Sequence, residues 1–139
     1  MLIHLISRWV GRSRQRRIAR ALGRRRSTLR ILREGLIADS AMDVFYRDFR
    51  RVPHFYKETS LLGPWRLKVM MSRQSQTVRL SLIVRSGQSW IGTLITDQHG
   101  RNPLAVVPDD QEPGPAVDRL LDALLEIDTR DTHTRRRAA

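Results

Sequence analysis

Residues 65–96 read WRLKVMMSRQSQTVRLSLIVRSGQSWIGTLIT, and their apolar positions recur every second residue. Trp65, Leu67, Val69 and Met71 alternate with Arg66, Lys68 and Met70; beyond the polar turn Ser72–Ser75, Val78, Leu80, Leu82 and Val84 alternate with Thr77, Arg79, Ser81 and Arg85. A period of two is that of a strand with one buried face, so the stretch predicts two antiparallel strands. Ser86-Gly87-Gln88-Ser89 supplies a second turn. A third strand then runs from Trp90 to Thr96, with Ile91 and Ile95 on one side and Trp90 and Leu94 on the other. After the turn formers of Asp97–Pro103, Leu104–Val107 predicts a short fourth strand, at an edge because Pro103 and Pro108 bracket it.

Helical periodicity flanks this meander. Upstream, Ile37, Ala41, Phe45 and Phe49 recur every four residues before Pro53, which predicts a helix over 36–51. Downstream, Pro115 opens a helix to Ile127 in which Ala116, Val117, Leu120, Leu121, Leu124 and Leu125 cover one face. The expected fold is α+β: an antiparallel three- to four-stranded meander covered on one face by two helices and preceded by a basic helical N-terminal arm. Arm, domain and tail are expected at 1–34, 35–128 and 129–139, the tail disordered because its residues show no periodicity.

The 139 residues are one domain's worth and exclude a large multidomain enzyme. With no cysteine, disulfides, thiolate metal sites, iron–sulfur clusters and cysteine nucleophiles are excluded together. No apolar run approaches the roughly 18 to 20 residues of a membrane-crossing helix. The net charge of +12 points to a polyanionic partner, and it is zoned. Residues 1–33 hold eleven Arg and no acid, whereas 102–139 hold five basic and eight acidic side chains. Arginine outnumbers lysine 24 to 2, and guanidinium groups fork onto phosphate oxygens where ammonium groups act as point charges. A coding bias would produce the same excess. Compact Arg-rich chains of this composition are common among viral accessory proteins.

Within the arm, Ile18, Leu22, Leu29, Leu32 and Leu36 form a narrow apolar stripe, and Arg12, Arg14, Arg16, Arg17, Arg20, Arg24, Arg25, Arg26, Arg30 and Arg33 surround it. A helix here contains seven like-charge pairs three or four residues apart, which cost about 1–4 kcal/mol together at low salt. The arm is therefore expected to be partly helical until a polyanion neutralises it, as arginine-rich segments fold on RNA. A second phosphate-binding platform is expected on the open sheet face, where Arg66, Lys68, Arg79 and Arg85 project and no acid occurs from Thr59 to Thr96. The function that follows is a non-enzymatic nucleic-acid-binding protein, RNA favoured over DNA, acting in the nucleus or cytoplasm. The alternative is a peripheral membrane or matrix-like assembly protein: Leu2, Ile6 and Trp9 share a helical face and can enter an anionic bilayer interface while the arginines bind headgroups. The same acid-free segment has features of a mitochondrial presequence.

The order helix, three strands, helix is similar to the topology of double-stranded-RNA-binding domains. Those open their second helix with a Lys-rich turn, whereas this chain has Pro108-Asp109-Asp110-Gln111-Glu112, so the likeness stops at topology. Among the aromatics, Phe45 and Phe49 read as core, which leaves Tyr46, Phe55 and Tyr56 as base-stacking candidates. His4, His54, His99 and His133 are isolated, without metal-ligand spacing. Asp97-Gln98-His99-Gly100 reads as turn chemistry. No metal, cofactor or catalytic residue is expected; a small basic ribonuclease using His54 or His99 is the enzymatic alternative.

Overall fold

The computed structural model describes the backbone of residues 2–40, 54–60, 64–72 and 75–138, and the side chains of 11–40, 64–72 and 75–128. Among the described residues, three helices pack on one face of a single antiparallel sheet. The first, α1 (Leu2–Arg24), breaks at Arg25 and resumes as α2 (Arg26–Leu32), which passes through a π-helical turn, Arg33–Ile37, and continues to Ser40. Five strands follow in chain order: β1 (His54–Ser60), β2 (Trp65–Ser72), β3 (Thr77–Val84), β4 (Trp90–Asp97) and β5 (Leu104–Val106). The last helix, α3, spans Pro113–Ala138.

The α+β meander and its last four strands are those that the period-two pattern predicts. The sheet has one strand more: β1 pairs along its whole length with β2, from His54 opposite Ser72 to Ser60 opposite Arg66. Alternation also buries the expected faces of β2 and β3, with Leu67, Val69 and Met71 meeting Val78, Leu80 and Leu82. On β4 the expected partition fails. Leu82 pairs with Gly92 and Ile83 with Trp90, so Ile91 is an extra residue bulged out of register. The bulge turns both Ile91 and Leu94 inward and leaves Trp90 exposed with Thr93 and Ile95 half-buried. At Gly92 a Cβ would come within 3.1 Å of both Leu120 Cδ2 and the Val106 carbonyl oxygen, so glycine lets β4, β5 and α3 meet there.

The core joins elements from both ends of the chain. Val117, Leu120, Leu121 and Leu124 of α3 are completely buried and meet the inner sheet face. Ile18, Ala21 and Leu22 of α1, Leu32 of α2, and Leu36 and Ile37 of the π turn belong to the same cluster. The apolar stripe of the arm over 1–34 is part of this core, and α1 packs along α3 and against β5. Only Leu36–Ser40 of the expected 36–51 helix falls among the described residues; Tyr46 and its neighbours through Pro53 lie outside them. Two boundaries also change. α3 begins at Pro113, a residue that suits the first helical position, rather than at Pro115. It also continues through 129–138, where a disordered tail was expected. No Gly or Pro interrupts that stretch, and Arg135, Arg136 and Arg137 sit where the helix dipole favours cations.

Candidate nucleic-acid interface

The helical arm sorts its arginines into two sets. Arg14, Arg17 and Arg25 turn toward α3 and the loop before it. Arg14 is half-buried; its Nη2 donates to the Pro108 carbonyl (2.6 Å) and its Nη1 to that of Gln111 (3.0 Å), with Asp109 Oδ1 3.9 Å from its Nε. Arg17 pairs with Glu112. Arg25, at the α1–α2 break, donates to Asp118 Oδ1 at 3.0 Å, pairs with Asp122, and reaches the buried Thr28 hydroxyl at 3.3 Å. The Asp122 hydrogen bond raises the affinity of the Arg25 guanidinium for its proton, against burial, which lowers it; the net direction is upward. The carboxylates in these pairs are half or more exposed, so each pair contributes about 0–1 kcal/mol and chiefly fixes orientation.

These contacts offset part of the repulsion within the arm. The compensating acids are 93 to 97 residues away in sequence and arrive through the fold. Sequence spacing carries no signal for such a pairing, although the oppositely charged end zones are consistent with it.

The second set is exposed: Arg12, Arg16, Arg20 and Arg24 on α1, Arg26 and Arg30 on α2, and Arg33 in the π turn. Steps of four residues place Arg12, Arg16 and Arg20 in a row about 6 Å apart along the helix, turned away from Ile18, Ala21 and Leu22. Leu2, Ile6 and Trp9 share α1's backbone, but their side chains lie outside those described.

The open sheet face is less cationic than expected. Arg79 is exposed and Arg66 and Lys68 are half-buried, while Arg85 lies beyond the end of β3 in a turn, its backbone N–H bonded to the Pro64 carbonyl. The unexpected β1 also sets Glu58 at the register position opposite Lys68. Between the cations the face carries exposed Met70 and Trp90. Trp90 donates its indole N–H to Thr93 Oγ1 (3.1 Å), and Thr93 in turn shares a hydrogen bond with Ser81 (2.9 Å). Trp90 is thus a positioned exposed aromatic that the sequence reading did not select for stacking; the signal was a tryptophan just after a turn.

Asp97 serves a turn, as its neighbours suggest. Its Oδ1 accepts the backbone N–H groups of His99 and Arg101, both at 2.8 Å. Burial pushes this carboxyl up, but the two N–H donors and the charges of His99 and Arg101 outweigh it and hold the group below its ordinary range. A depressed carboxyl stabilises the turn above the unfolded value of about 3.9 and loses that contribution as pH falls through its lower folded value. Amide exchange at His99 and Arg101 is therefore expected to accelerate below about pH 4 relative to core amides, once the intrinsic pH dependence is removed. Asp97→Asn is expected to flatten that profile.

Among the described residues no cluster of His, Asp and Glu is arranged to hold a metal ion, and no helix is long and apolar enough to cross a membrane. Comparison of the chain with protein-family models, curated proteins and solved structures finds no match.

Proposed function

We propose that this protein binds RNA without processing it, using the exposed arginine row of α1 and its continuation on α2 as the phosphate-binding surface. The observation that carries the reading is the sorting of the arm: three arginines are engaged with the protein's own polar groups, while Arg12, Arg16, Arg20, Arg24, Arg26, Arg30 and Arg33 face solvent from a helix anchored in the core. A rigid helix presents its charges without the ordering cost that a disordered arm meets on binding. Backbone-directed contacts of this kind favour shape and charge over sequence.

The reading is tested by titrating the purified, nuclease-treated protein with short single-stranded and hairpin RNAs across a salt series. Four to seven arginines on phosphates give log affinity a slope against log salt of about −3 to −5. Because the arm is already helical, circular dichroism should change little at saturation. Sub-micromolar binding at physiological salt with that slope supports the proposal. A slope near zero, or affinity weaker than for vesicles of phosphatidylserine and phosphatidylcholine, replaces it with the anionic-membrane reading, and RNA cleavage replaces it with the ribonuclease.

A further inference from the structure

The flank of α1 and α2 does not close on the sheet edge beside it. Between them lies a groove of about 510 Å³, walled by Ile18, Leu22 and Leu29 on the helices and by Ile95, Leu104 and Val106 on the sheet. That volume falls within the range of natural ligand sites. Leu104 is 60% exposed and Val106 46%, the two most exposed large apolar side chains among the described residues. Among the described residues β5 has β4 as its neighbour on one side only, and no described strand pairs with its other edge. Edge strands are usually kept short or protected by charge or proline; Leu104-Ala105-Val106 is short and bracketed by Pro103 and Pro108, but it carries no charge within it.

The charge in the groove's lining is of one sign. Among the described residues, Arg26 is the one charged residue in its lining, and Arg33 lies across Gly100 in the turn that leads into β5. A second copy of this chain would bring these cations against their own images. An RNA strand would meet an aliphatic wall with no aromatic ring to stack on. The complementary occupant is a strand that brings its own apolar residues and acids.

We propose that the β5 edge groove is a docking site for an extended segment of another protein, added as a sixth strand, with aliphatic side chains at alternate positions and a carboxylate beside Arg26. Backbone hydrogen bonds to β5 would supply affinity, while the apolar wall and Arg26 select the side chains. The site shares Arg26 and Arg33 with the proposed RNA surface but does not rest on that reading, since its apolar wall and β5 edge lie outside the arginine set and Arg12, Arg16 and Arg20 lie outside the groove lining.

The test is selection of a displayed library of random short peptides on the full-length protein, followed by titration of a synthetic copy of the most enriched peptide into isotope-labelled protein. Enriched peptides should alternate Val, Ile or Leu with other residues and contain Asp or Glu, and the amides shifted on titration should be those of 104–106 and of the 15–29 flank. Leu104→Arg should weaken the peptide at least about tenfold while leaving the melting temperature and RNA affinity nearly unchanged, because the side chain is exposed. Arg26→Glu should redirect selection toward Lys and Arg. No enrichment, equal binding by the Leu104→Arg variant, or a concentration-dependent dimer that Leu104→Arg dissolves would each overturn it, the last in favour of a second copy.

Discussion

A fragment beginning at residue 34 is expected to be unfolded. Removing 1–33 takes Ile18, Ala21, Leu22 and Leu32 out of the core, and Leu32 has no exposed surface at all. Truncating a single buried Leu or Ile to Ala typically costs about 2–5 kcal/mol. Three such losses together are comparable to the roughly 5–15 kcal/mol that holds an ordinary domain together. The faces of α3 and β5 that α1 covers would also be opened to water. The fragment should show no cooperative thermal transition and should bind a hydrophobic dye. A fragment that melts cooperatively near the temperature of the whole chain would mean that the N-terminal helices are dispensable, which the burial pattern contradicts.

The second large effect separates the two sets of arginines. Substituting Arg12, Arg16, Arg20 and Arg30 with Gln keeps helix propensity while removing four exposed charges. At roughly 1 kcal/mol for each cation held near a polyanionic surface, RNA affinity at low salt should fall about a thousandfold. The slope against log salt should become shallower by about 3, with the melting temperature nearly unchanged. Arg14→Gln, Arg17→Gln and Arg25→Gln together should do the reverse. Their partners are Asp109, Glu112, Asp118 and Asp122 and the carbonyls of Pro108 and Gln111. This second variant should melt lower and lose little RNA affinity. Equal effects of the two variants on RNA binding would remove the distinction on which the proposed surface rests.

Several of these features were legible in the sequence for identifiable reasons. Leu67, Val69, Met71, Val78, Leu80 and Leu82 alternate because one face of their strands is dry, and that pattern is local. The four leucine and valine positions of α3 repeat at helical spacing for the same reason. His54–Ser60 escaped because its sequence, HFYKETS, shows no alternation of apolar and polar residues. The β4 bulge escaped because a register shift belongs to a pair of strands, and Ile91 in isolation continues the alternation. The apolar stripe of the arm was visible, but its destination was not: a narrow stripe amid arginines fits a free amphipathic helix and a docked one equally well. What settles it is the apolar surface of α3 and the sheet that the stripe meets, with the acids of α3 and its entry loop fixing the orientation, and that proximity is a property of the fold.

The pairing of Arg14, Arg17 and Arg25 with residues 108–122 also sets the order in which this molecule can be finished. On a ribosome α1 emerges before α3, and the residues that clasp it are added 93 to 97 positions later. At ordinary rates of elongation this leaves an interval of about 5–20 s. During that time Ile18 and Leu22 have no α3 to pack on, and every arginine of the helix is uncompensated beside ribosomal RNA. Slowing elongation should lengthen that exposure and increase capture of the nascent chain by chaperones. A circular permutant that places α3 ahead of α1 should be released folded, without the wait.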